Sequence, residues 1–203
     1  MTTETSFVKS DSNHISRLRS FFPLDANGLF AIRYSFDPLL PGRRPRSSPY
    51  RLFSNAESRF ITTVFSRLEE VLPVSSEYYS DVVTGIRFSS VRGFPGAKNL
   101  QGTTSVLLQP LVANYSDIDM NSSSIWIKLK MNGDSHVSRV ERSTIVHEIG
   151  HALGLRHPSN SPNSLKYTDD DTIMSYRPGI NGISDWFSAV DILALTEIWS
   201  PGL

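Results

Sequence analysis

The segment Thr144–Pro158, T-I-V-H-E-I-G-H-A-L-G-L-R-H-P, constrains this chain more than any other stretch of it. His147 and His151 stand four apart, so on a helix both rings occupy one face, one turn above the other. Two imidazoles placed in this way can reach one tetrahedral zinc ion. Glu148 sits between them, where a carboxylate can act as general base toward a water activated by such an ion. Gly154 can take positive φ and end the helix. The chain then reverses, and His157 can return as the third ligand. A buried amphipathic helix that merely happened to carry histidines would need neither Gly154 nor His157 at these offsets.

Downstream, Thr172-Ile173-Met174-Ser175-Tyr176 places a methionine and a tyrosine two residues apart. Together, H-E-I-G-H-A-L-G-L-R-H-P and I-M-S-Y resemble the metzincin zinc endopeptidases. They are most similar to the serralysin branch, to which Pro158 directly after the third histidine and Tyr176 after the methionine both point. Weaker similarity reaches Tyr34-Ser35-Phe36 and Asp191-Ile192-Leu193-Ala194-Leu195.

The resemblance implies an α+β (α/β-like) catalytic domain of the zincin or metzincin type. Its parts would be a twisted mixed sheet of about five strands with an antiparallel edge strand, two long helices, a Met-turn after the active-site helix, and a C-terminal helix. It further implies one catalytic zinc on His147, His151 and His157. Tyr176 would be an additional ligand in the resting enzyme that swings away and donates to the oxyanion. Met174 would form a thioether floor beneath the imidazoles without ligating.

Bulk properties narrow the class. At 203 residues the chain can form one substantial domain. Lys plus Arg and Asp plus Glu number 20 each, so no global basic field is available to hold a nucleic acid. The absence of cysteine excludes disulfides and any thiolate zinc site or latency switch. Met1–Ser20 lacks the apolar run of a secretory signal, and no stretch approaches the ~18 apolar residues of a membrane span. The resemblance points to secretion, so non-standard export and an intracellular role both stay open. The glycine- and aspartate-rich repeats that follow many serralysin catalytic domains are not found in the sequence.

Along the chain, residues 1–27 read as a loose polar arm, either disordered or inhibitory. In the inhibitory form Asp25 would replace the catalytic water. Residues 28–203 read as a single catalytic domain. Phe30–Phe36 alternates as a first strand. The stretch from Gly42 to Tyr50, with Arg43, Arg44 and Arg46, reads as a basic extended loop. Ser54 and Glu57 form a capping box for a long helix with an apolar stripe of Phe60, Ile61, Val64, Phe65, Leu68 and Val71.

Gly85–Phe88 reads as a second strand, Thr104–Gln109 as a third buried on both faces, and Leu111–Tyr115 as an antiparallel edge strand for the substrate backbone. Ser124–Met131 alternates cleanly, with Ile125, Ile127, Leu129 and Met131 on one side. Ser138 and Glu141 cap the zinc helix near Arg139, and Ile145, Ile149 and Ala152 should face the sheet. Asp169-Asp170-Asp171 offers oxygens for calcium, although a solvated loop is the favoured reading. Arg177–Ser184 would wall the pocket for the residue after the scissile bond. A last helix runs from about Ser188 to Trp199. His14 and His136 read as surface residues.

These features specify a monomeric zinc endopeptidase acting on extended polypeptides. One alternative is a zinc-binding interaction module without turnover, against which the intact Glu148 speaks. Another is a processing or toxin protease with one protein target.

Overall fold

The computed structural model describes residues 5–36, 50–79, 85–94, 96–107 and 124–200. Its elements are α1 (Ser12–Arg19), β1 (Phe30–Phe36), β2 (Tyr50–Arg51), α2 (Asn55–Glu69), β3 (Val74–Tyr78), β4 (Gly85–Val91), β5 (Gly102–Leu107), β6 (Ser124–Lys130), α3 (Arg139–Ala152) and α4 (Ala189–Trp199). The sheet order is β3-β1-β4-β6-β5, with β2 pairing beside β4. Neighbours along this path are parallel except β5, which runs antiparallel to β6. This is the α+β mixed sheet with an antiparallel edge strand that the sequence implies.

Local chemistry sets the helix boundaries. The capping boxes at Ser54/Glu57 and Ser138/Glu141 both form, and Ser188/Asp191 makes a third at the start of α4. Ile61, Val64, Phe65 and Leu68 of α2 and Ile145, Ile149 and Ala152 of α3 are buried in one core with Ile86 and Phe88 of β4 and Ile125, Ile127 and Leu129 of β6. The periodic readings of the two long helices and of β6 thus hold. Val71 does not belong to the α2 stripe: it lies beyond the helix end and is 45% exposed. Among the described residues, no helix is long and apolar enough to cross a membrane.

Two sequence readings change. The strand expected to be buried on both faces, β5, has Ser105 exposed and lies at the end of the described sheet path. The edge strand expected at Leu111–Tyr115 and the basic loop of Arg43, Arg44 and Arg46 lie outside the described residues.

The second change concerns residues 5–27, which are not a loose arm. Asp11 caps α1, and Val8, Leu18 and Phe22 are buried in the main core. Phe22 and Phe30 both set their rings edge-on to that of Trp199. Asp25 Oδ1 accepts from the Asn27 and Leu29 amides at 2.8 and 3.0 Å, which commits its carboxylate to its own turn. These bonds hold its carboxyl below the usual range.

Candidate metal centre

His147 and His151 project from successive turns of α3, with ring centroids 4.8 Å apart. Beyond them the helix ends in a Schellman motif. The Gly154 amide donates to the His151 carbonyl at 3.1 Å and the Leu155 amide to the Gly150 carbonyl at 2.9 Å. Gly154 takes φ +101°, as its sequence role requires. This reversal also turns the Leu155 carbonyl toward the second ligand, where it accepts from His151 Nδ1 at 3.0 Å.

His157 then comes back across the helix end. Its Nε2 lies 3.2 Å from His151 Nε2 and 3.3 Å from His147 Nε2. One nitrogen from each of the three rings falls within a 4.8 Å cluster, the metal-holding group found among the described residues.

The donor chemistry fits a cation. His147 Nδ1 donates to the Ile173 carbonyl at 2.8 Å. With Nδ1–H so engaged in His147 and His151, each neutral ring turns an unprotonated Nε2 inward. Lone pairs facing one another at this range repel unless a positive ion lies between them. Tetrahedral ligands ~2.0–2.1 Å from zinc stand ~3.3–3.4 Å apart, which matches the observed spacing. Burial, with its two neighbouring imidazoles, pushes the His147 ring down to about 3. Burial and His151 push His157 to about 4, and His151 is also lowered by burial. All three rings are therefore neutral at physiological pH, as ligands must be.

Glu148 is only 3% exposed and turns toward the edge strand. Its Oε2 accepts from Thr104 Oγ1 at 2.6 Å. Burial raises its carboxyl to about 7, with the Thr104 bond opposing the rise. The approach of helix to strand depends on Gly102. A β-carbon there would lie 2.7 Å from Glu148 Cγ and 2.8 Å from Oε1.

Met174 is fully buried, and its sulfur packs against α3 at Gly150, where a β-carbon would come within 2.8 Å of it. Gly150 adjoins His151, so the thioether lies against the helix that carries His147 and His151. Tyr176 is 52% exposed, with its ring centroid 5.2 Å from those of both His147 and His157. Burial and the Glu148 charge raise its hydroxyl above the usual range.

No family model and no curated protein matches the chain. Solved structures do. A structure of myroilysin superposes with a TM-score of 0.53 at 13% identity, over 92% of this chain and 98% of that one. The fold is shared with myroilysin. A second myroilysin structure gives 0.50 at 13% identity, covering 84% and 83%. High choriolytic enzyme 1, a hatching enzyme zinc-protease from the medaka fish Oryzias latipes, gives 0.49 at 15% identity, covering 88% and 92%.

A cavity of about 430 Å³ opens beside His147 and Glu148. Val140, Ser143 and Thr144 of α3 form one wall, Leu100 and Gln101 another, and Tyr176, Pro178 and Ile183 a third. The run of three aspartates shapes that last wall. Asp169 accepts from the amides of Gly179 and Ser184, and Asp170 from those of Ile180 and Asn181. Asp171 closes its own turn on Thr168. These carboxylates thus hold the 177–184 loop through backbone amides.

The structure brings His147, Glu148, His151, His157, Met174, Gly154 and Tyr176 to one place. Sequence reasoning missed Thr104, Gly102 and Gly150. Thr104 and Gly102 meet Glu148 of α3, and Gly150 of α3 makes room for the Met174 sulfur, each through a contact that no local spacing encodes.

Proposed function

We propose that this protein is a zinc-dependent endopeptidase of the serralysin type. One observation carries the reading: the Nε2 atoms of His147 and His151 converge within 3.3 Å of His157 Nε2, and one of those histidines, His147, lines an open cavity together with Glu148. A zinc ion held by His147, His151 and His157 would supply Lewis acidity and lower the pKa of a water to near neutrality.

The chain's own groups account for the rest. Glu148 takes a proton from the attacking water and passes it to the leaving amine. Tyr176, the resting-state ligand implied by resemblance, donates its hydroxyl hydrogen bond to the carbonyl oxygen as charge develops there. Its half-exposed ring leaves room for that movement. β5 is the antiparallel edge strand among the described residues, and an extended polypeptide would add to it as a further strand. The cavity would receive the side chain that follows the cleaved bond. Pro158 and Tyr176 support the serralysin branch.

The test is hydrolysis of casein and of quenched-fluorescent peptides with zinc, with chelator, and in Glu148→Ala. The parent should cleave, chelation should stop it, and Glu148→Ala should retain one zinc per chain while losing nearly all turnover. A variant as active as the parent would remove Glu148 as the base. A parent that binds zinc without cleaving any peptide would leave the interaction-module reading.

A further inference from the structure

We propose that Thr104 is a positioning residue for the Glu148 carboxylate, with Gly102 providing the space for it. This role rests on the endopeptidase reading above. Glutamate has three side-chain torsions, and a base that wanders among rotamers loses the orientation its reaction needs. Burial alone does not choose among them. A specific donor does.

Thr104 Oγ1 has one proton to give and two acceptors in reach. Glu148 Oε2 is at 2.6 Å and the Glu148 carbonyl at 3.0 Å. The carbonyl lies inside α3, where the amide four residues on is its ordinary partner. The carboxylate is the nearer and more strongly accepting group, so the proton goes to Oε2. That fixes one oxygen and leaves Oε1 without a hydrogen-bond partner among the described residues, as the oxygen able to take a proton.

Gly102 is two residues back on β5 and therefore on the same face of the strand. A methyl group there would fall 2.7 Å from Glu148 Cγ, 2.8 Å from Oε1 and 2.8 Å from Thr144 Cγ2. The pair is held in place by the β5–β6 register, in which Gly102 faces Leu129 and Thr104 faces Ile127. Thr103 and Ser105 point to the opposite face. A glycine and a hydroxyl two apart thus form a seat for one carboxylate: the first clears space along its stem and the second grips its far oxygen.

The experiment compares Thr104→Val, which keeps shape without the donor, with Thr104→Ser, which keeps the donor. With zinc bound, Thr104→Val should hold one metal per chain, keep KM within about twofold and lose kcat by roughly 10-fold or more, while Thr104→Ser recovers most of the loss. A kcat equal to the parent's in Thr104→Val, or equal losses in both variants, would overturn the role.

A second measurement needs no turnover. In the metal-free protein, Thr104→Val should lower the urea midpoint clearly more in the parent background than in Glu148→Ala, where only the contact to the residue 148 carbonyl remains to be lost. Equal shifts in the two backgrounds would show that the hydroxyl does not hold the carboxylate. If the parent fails to cleave any peptide while this coupling persists, the endopeptidase reading falls and takes the catalytic role of Thr104 with it, leaving a structural contact.

Discussion

Asp191 and His147 hold opposite ends of one residue, Ile173. Asp191 Oδ2 accepts from the Ile173 amide at 2.9 Å, and the Ile173 carbonyl accepts from His147 Nδ1 at 2.8 Å. Asp191 also takes the Thr172 hydroxyl at 2.5 Å and the Ser188 amide at 2.9 Å. One buried carboxylate therefore caps α4, pins the turn that carries Met174, and through that turn orients the His147 ring. Its burial raises its carboxyl above the usual range. Asp191→Ala would leave these donors unsatisfied, at a cost on the order of 3 kcal/mol. Zinc affinity should fall by about tenfold, as for other groups that orient a ligand from behind. Chemical denaturation of the metal-free protein and competitive zinc titration check the two effects. Unchanged affinity would uncouple Asp191 from His147.

His157 has a different support. The Arg156 amide donates to the Val8 carbonyl at 2.7 Å, the Ser159 amide to the Phe7 carbonyl at 3.0 Å, and the Ser10 amide to the Gly154 carbonyl at 3.0 Å. Phe7 stacks on Tyr167 at 4.2 Å, and Lys9 pairs with Glu197 at 2.6 Å. His157 thus rides on a segment strapped down by residues 5–10. Removing residues 1–10 should weaken zinc binding and lower the melting temperature. An inhibitory arm predicts the reverse, a gain in peptidase activity. Melting curves with and without zinc, together with peptide cleavage, separate the two outcomes.

Why this strap escaped sequence reading is physical. Val8, Leu18 and Phe22 are apolar residues scattered in a polar stretch, and each finds its partners more than a hundred residues away on the chain ends of α3 and α4. The convergence of His147, His151 and His157 was legible because its geometry is local: an i, i+4 pair, a glycine at the helix end and a return within three residues. Capping boxes were legible for the same reason. Thr104 and Glu148 lie 44 positions apart, and only the β5–β6 register joins them. β3, with its V-S-S-E-Y sequence, is short and half polar at the far end of the sheet path, so alternation gave no signal. The V-L-L run suggests burial of β5 on both faces, but the exposed Ser105 just before that run shows that composition alone does not tell which face of a strand meets solvent.

Stability of the metal-free protein should depend on pH in two opposing ways. His147 and His157 fold with pKa values lowered from 6.5 to about 3 and about 4. Their share of stability is complete above pH 6.5 and is lost as pH falls toward those values. Glu148 is raised from 4.5 to about 7, so its share is present below pH 4.5 and lost as pH rises through 7. Glu148→Gln cannot ionise and should stabilise the metal-free protein by on the order of 3 kcal/mol at pH 8, with little effect at pH 4.5. Zinc should close this gap, because the dication favours the carboxylate. Melting curves of both proteins at the two pH values, with and without metal, decide it. A gap independent of pH would point to packing instead of charge.

Tyr176 offers the sharpest separation of binding from chemistry. Its ring lies against His147 and His157 at 5.2 Å from each, yet half of the residue faces solvent, so removing the hydroxyl should disturb neither the fold nor the triad. The Tyr176 amide donates to the Pro162 carbonyl at 2.7 Å, which fixes the backbone whatever the side chain. Tyr176→Phe should therefore bind zinc with the parent's stoichiometry and leave KM within about twofold. Loss of one oxyanion donor costs ~10²–10³ in kcat at a preorganised site. In the proposed role Tyr176 would have to move to reach the substrate, and it is partly solvated, so a loss nearer the lower end, about 10²-fold, is the expected outcome. Steady-state kinetics on one quenched peptide, with metal content measured on the same samples, gives the answer. Equal kcat in the two proteins would assign the hydroxyl no part in the reaction, and a raised KM with unchanged kcat would make it a substrate-binding group.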